Sequence, residues 1–134
     1  MADIVHTATG ALGNTAGTYE DVTWGGTVTA GMPVYKHTDS KHYAALNDTA
    51  LHAAVVGYAM SGGAAGQRGR ILTAGILTLS GGLTKAITYY CSVNAGGIAP
   101  IADVLSGDFV TILGVASSTT TLKIVSYASG QDLA

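Results

Sequence analysis

Hydrophobic positions in this chain fall in short runs, rich in β-branched and aromatic residues and separated by glycine-bearing turns. That pattern predicts strands over 3–9, 19–24, 33–36, 42–46, 54–60, 68–73, 76–79, 86–92, 109–116 and 121–127. The turns between them are Gly25-Gly26, Ser61-Gly62-Gly63, Ser80-Gly81-Gly82, Asn94-Ala95-Gly96-Gly97 and Ser106-Gly107-Asp108, whose glycines supply the positive φ of tight reversals. One short helix is a candidate at 48–54, with Asp48 as its cap, and the same stretch also reads as loop.

The pattern repeats. Val55-Val56-Gly57-Tyr58-Ala59 returns as Ile112-Leu113-Gly114-Val115-Ala116, and Pro33-Val34-Tyr35 upstream of the first copy matches Thr88-Tyr89-Tyr90 upstream of the second. Strand, loop, strand, twice over, predicts two related β-modules folded against each other. Two copies are too few for a solenoid, which needs about three. The expected fold class is all-β: a small barrel or sandwich of two related β-modules with an extended N-terminal arm over 1–18, and 19–134 as a single domain.

Alternation of apolar and polar residues fails at Ile71-Leu72 and again at Ile76-Leu77. A strand apolar on both faces must be covered on both. The cover is either a neighbouring subunit or a second layer of a bulged sandwich, with Gly75 marking a bulge. Residues 7–18 are small and glycine-rich, with little to anchor a core, so the segment reads as a frayed terminus or as an arm that orders on a partner. Ile4 and Val5, outside the glycine-rich stretch, are what such an arm would use to add a strand to another sheet.

Composition narrows the partners. Charged residues make up 10% of the chain, against about 25% in ordinary soluble domains, which leaves the surface poorly protected against association. Six basic and eight acidic residues, net −2, provide no basic field for nucleic acid and no cationic face for membrane lipid. Cys91 is the only cysteine, so an intrachain disulfide is impossible and the thiol is expected to pack as a small hydrophobe. No apolar stretch approaches the roughly 18 residues of a membrane-spanning helix, and the start of the chain lacks the basic and apolar regions of a secretory signal. Synthesis and folding in a cytoplasm are the expectation.

Candidate chemistry is sparse. His37, His42 and His52 lie near Asp39 and Asp48, but their spacing matches no zinc pattern. Ser106 and Asp108 read as a turn, with no nucleophile elbow around them. The stretch 61–70 resembles a phosphate-cradling loop but lacks the Lys-Ser/Thr ending and the following helix. Arg68 and Arg70, two apart on a strand, could make a small anion or carboxylate contact. Trp24 and the tyrosines read as core or interface aromatics. No catalytic residue, cofactor or metal is expected.

The runs Ala30-Gly31-Met32-Pro33-Val34-Tyr35-Lys36, Ala53-Ala54-Val55-Val56-Gly57-Tyr58-Ala59, Gly66-Gln67 and Thr73-Ala74-Gly75-Ile76-Leu77-Thr78-Leu79 resemble the small capsid decoration (cement) proteins of tailed bacteriophages. Gly96-Gly97-Ile98-Ala99-Pro100, Ser106-Gly107-Asp108 and Leu113-Gly114-Val115-Ala116 continue the resemblance, which covers roughly 28–126. It implies a non-enzymatic β-barrel on the outer surface of the virion head, made in the host cytoplasm. Such a protein binds the major capsid protein and itself, as a trimer in preference to a dimer, and clamps capsomers against internal pressure. Capsid contacts are expected from the arm at Asp3, Ile4, Val5, Thr7, Thr9 and Leu12, and from loops. The histidine-bearing segment departs from the family pattern. Two other classes share parts of the sequence signal: a phage tail or fibre module binding host surface glycans, and a small hydrolase or metalloenzyme.

Overall fold

The computed structural model describes residues 3–4, 12–13 and 17–132. Its strands are β1 (Leu12–Gly13), β2 (Thr18–Thr23), β3 (Pro33–Lys36), β4 (His42–Ala44), β5 (Val55–Ala59), β6 (Arg68–Ala74), β7 (Ile76–Thr78), β8 (Thr88–Cys91), β9 (Ile98–Pro100), β10 (Phe109–Ala116) and β11 (Thr121–Asp132). They form two antiparallel sheets, β1-β7-β11-β10-β8-β9 and β2-β6-β5-β3-β4. The sheets pack as a sandwich and do not close into a barrel. No helix among the described residues is long and apolar enough to cross a membrane.

The repeat in the sequence is a repeat in topology. With β1 set aside, β2–β6 and β7–β11 are five-stranded modules of identical connectivity, each ordered first, fifth, fourth, second, third. The repeated glycine motif sits at the same irregularity in both. Val34 pairs with Gly57 and Tyr35 with Val55, leaving Val56 as an extra residue. Tyr89 pairs with Gly114 and Tyr90 with Ile112, leaving Leu113 extra. A β-bulge of this kind bends its strand and increases the local twist.

Each module has two faces, and the two modules stack front to back. The front of the first carries Tyr35, Val55, Tyr58 and Leu72, all buried in the main core. By register, the equivalent front of the second carries Tyr90, Ile112, Val115 and Lys123, which point away from that core. The back of the second, with Leu79, Tyr89, Ala116 and Leu122, packs on the front of the first. Hydrogen bonds cross this junction, among them the Tyr58 hydroxyl donating to the Leu113 carbonyl at 3.1 Å, the Thr111 hydroxyl to the Ala53 carbonyl at 2.6 Å and the buried Asn47 side-chain amide to the Cys91 carbonyl at 3.0 Å.

The back of the first module has its own cover. Val22, Val34, Ala59 and Ile71 form a second cluster beneath Trp24 and Val28, which the β2–β3 connection lays over them. Gly69 makes room for the indole, since a Cβ there would overlap its ring. This accounts for Ile71-Leu72: Ile71 faces the small cluster and Leu72 the large one, so the chain itself covers both faces of β6. A neighbouring subunit is not needed there. In the second module the matching β7–β8 connection puts Leu83 into the main core.

Several expected elements differ. Of the two readings open for 48–54, helix or loop, the structure has the loop, a run of bends and turns. Thr49 takes the capping role, its hydroxyl accepting from the His52 amide at 3.1 Å, while the Asp48 carboxylate meets the His52 ring. Gly75, at φ 121°, marks the corner where the chain leaves one sheet for the other, not a bulge within a strand. The last strand runs on to Asp132, past Ser126 (φ 47°) and Gly130 (φ 70°) at register shifts opposite β10. Most of the expected strand 3–9 lies outside the described residues.

Candidate binding surfaces

Asp3 and Ile4 lie against the chain's own body. The Ile4 amide donates to the Ile98 carbonyl at 3.0 Å, and the Ile4 side chain packs against the main core. The Asp3 carboxylate accepts from the Ser92 hydroxyl at 2.7 Å and from the Asn94 side-chain amide at 3.2 Å. Leu12 and Gly13, as β1, pair with Thr78 and Leu77 of β7. The first segment therefore touches the β9 edge of the six-stranded sheet at one point and forms its opposite edge at another. Val5, Thr7 and Thr9 lie outside the described residues.

Beside Asp3 the loops form a shallow hollow of about 380 Å³, lined by Asp3, Ser92, Val93, Asn94, Ala102, Asp103 and Leu105. Its rim is apolar and open: Val93 is 53% exposed and Leu105 65%, with Ile101 close by in sequence at 51%. Composition could not reveal this cluster. It arises because β9 and the 3-10 turn Ile101–Asp103, neither expected from the sequence, bring the two loops together.

The histidines separate into two settings. His42 is buried on the back of the first module, bridged to Trp24, and burial depresses its pKa below the usual histidine value, with a smaller push the same way from Lys36 and an opposing pull from Glu20. His37 and His52 flank Tyr35, with ring centroids 6.0 and 5.0 Å from it, and Tyr43 stacks on Tyr35 at 5.8 Å. Their polar atoms are engaged locally: His52 Nδ1 meets Asp48 at 2.6 Å, and the Tyr43 hydroxyl donates to Asp39 at 2.6 Å. That bond from Tyr43 is the main reason the Asp39 carboxyl sits below its usual range. Among the described residues no three His, Cys, Asp or Glu side chains are grouped to hold a metal.

The other candidates are spent on structure. Asp108 accepts from the Leu105 amide at 2.9 Å and closes a turn. Gln67 caps its loop by accepting from the Ala64 amide at 2.8 Å. Arg70 Nε meets Asp21 at 3.1 Å, a carboxylate contact within the chain, and its guanidinium lies 5.9 Å from the Tyr19 ring centre. Cys91 is buried, and desolvation pushes its thiol up to about 12.

No protein-family model and no curated protein matches the chain.

Proposed function

We propose that this chain is a structural virion protein that binds the outer surface of a phage capsid and stabilises the head, acting as a homotrimer without enzymatic activity. The observation that carries the reading is the open hollow in which Asp3, from the start of the chain, lies with the exposed loop residues Val93 and Leu105. The sequence resemblance to decoration proteins implies attachment through those two parts. A bare apolar rim in a chain with so few charges suits burial against a partner surface.

Arm and loops act together in this reading. Ordering an arm costs roughly 1–2 kcal/mol of backbone entropy per residue, so one copy binds modestly. Three copies engaging at a local threefold axis raise avidity by about 10² to 10⁴. The test mixes purified protein with expanded, undecorated heads and measures occupancy and heat resistance. Wild type should coat the heads and raise their disruption temperature. Removal of residues 2–17 should abolish coating, as should Leu105→Asp, which replaces an exposed side chain and leaves the fold intact. Failure of the intact protein to bind heads overturns the reading; full coating by Leu105→Asp removes the loops from it.

A further inference from the structure

We infer that the outer margin of β9 is an acceptor site for an extended pair of residues, one acidic and one apolar, and that it takes this pair, Asp3-Ile4, from a second copy of the chain as well as from its own. Copies are then joined by exchange of their first residues.

Comparing the two modules points to the site. In the first module the chain leaving β2 returns to the far margin of its sheet: the Trp24 amide donates to the Gln67 carbonyl at 2.8 Å, and the Gly25 amide to the His42 carbonyl at 2.8 Å. In the second module the Leu79 amide donates to the Thr120 carbonyl at 2.7 Å, in the place of Trp24 and Gln67. The carbonyl in the place of His42 is that of Ile98, since Ile98 pairs with Cys91 as His42 pairs with Lys36. It accepts from the Ile4 amide, at the start of the chain. The first module thus fills this position with its own connection, and the second with a segment from outside the module.

The site is shaped for what it holds. Ser92 Oγ lies 2.7 and 2.8 Å from the two Asp3 carboxylate oxygens, and the Asn94 side-chain amide donates to the carboxylate at 3.2 Å. The Asn94 backbone amide donates to the same Ser92 hydroxyl at 3.1 Å, which leaves the hydroxyl proton for the carboxylate. Gly97 clears the space, because a Cβ there would overlap the Asp3 carboxylate. One residue on, the Ile4 side chain packs against the main core. A main-chain hydrogen bond to a strand margin, with a polar and an apolar seat for successive side chains, is how a sheet edge receives an extended peptide.

A second copy carries the same pair, so exchange keeps every contact of the site and asks for none that is new. Charged residues make up only 10% of the chain, so little repulsion opposes the approach. Each copy gives its pair to one neighbour and accepts from another, a contact that closes into a ring when the rotation permits. A ring of three agrees with the trimer proposed above. The exchange involves no capsid, so it can fail while capsid binding stands.

Sedimentation equilibrium of the full chain, without capsids, tests it with variants that each spoil one half of the site. Ile4→Asp spoils the donor and keeps the acceptor. Asn94→Asp, at an exposed position, sets a carboxylate against Asp3 and keeps the donor. Wild type should associate, and each variant alone should associate more weakly by about tenfold or more while keeping the circular dichroism of wild type. Asp3→Ala is a second donor variant with the same expectation. An equimolar mixture of Ile4→Asp and Asn94→Asp should form one-to-one pairs, because the second chain can still give Asp3-Ile4 to the first. A synthetic peptide of residues 2–9 should bind the Ile4→Asp chain and be lost when Asn94→Asp is added to it. A wild-type monomer at micromolar concentration overturns the inference. An oligomer indifferent to the donor and acceptor variants, a mixture as dissociated as its parts, or a peptide that does not bind overturns it equally.

Discussion

Gly57 and Gly114 show how much a single atom matters here. A Cβ on Gly57 would lie 2.9 Å from the Leu72 carbonyl oxygen and 2.9 Å from Ile71 Cδ1, and one on Gly114 would overlap the Lys123 carbonyl oxygen. Backbone cannot step aside as a flexible side chain can. Gly114→Ala should therefore destabilise by about 1–3 kcal/mol, measured by urea denaturation, while Leu105→Asp should change stability by less than about 0.5 kcal/mol. His42 gives a prediction of opposite character. Its pKa is depressed in the folded chain by burial, so above about pH 6.5 both states are neutral and stability is complete. As pH falls through that value the unfolded chain gains a proton that the folded one resists, and stability declines. Denaturation midpoints should fall between pH 7 and 5 in wild type, and His42→Gln, less stable at pH 7, should lose the part of that slope due to this ring. Cys91 should resist thiol reagents until the chain unfolds, because its raised pKa and burial withhold the thiolate; labelling as fast as in denatured protein would contradict this.

At the scale of elements, periodicity located the strands that are long or carry β-branched pairs. Residues 33–36 and 109–116 have the bounds read from sequence. Ile98–Pro100 was missed because three residues ending in proline carry no period, and it is strand only because β8 lies beside it. The apolar pair Ile71-Leu72 correctly signalled a strand covered twice, but sequence could not say by what. The answer depends on Val28, in a stretch that reads as loop, and on Trp24, read as the end of strand 19–24, both lying in the connection that folds back over the sheet. The candidate binding surface was legible only in part: the start of the chain stood out by composition, whereas Val93 and Leu105 are brought together by tertiary structure. Because Trp24, at the start of that connection, is fully buried, Trp24→Ala should cost about 3–5 kcal/mol. Loss of secondary structure at lower denaturant concentration is the expected result, and an unchanged midpoint would show that the small cluster contributes nothing.

For the whole molecule, the repeat gives two modules of one design with unequal fates. The first has both faces covered, one by the second module and one by its own loop, whereas the second has a face left open. The N-terminal residues carry a further consequence. Ile4 seals one margin of the six-stranded sheet and β1 seals the other, and unsealed margins are where sheets of different chains fuse. If, as proposed, a copy lends this stretch to a capsid, it gives up both seals together, and the two margins of its sheet are bared only at the place of attachment.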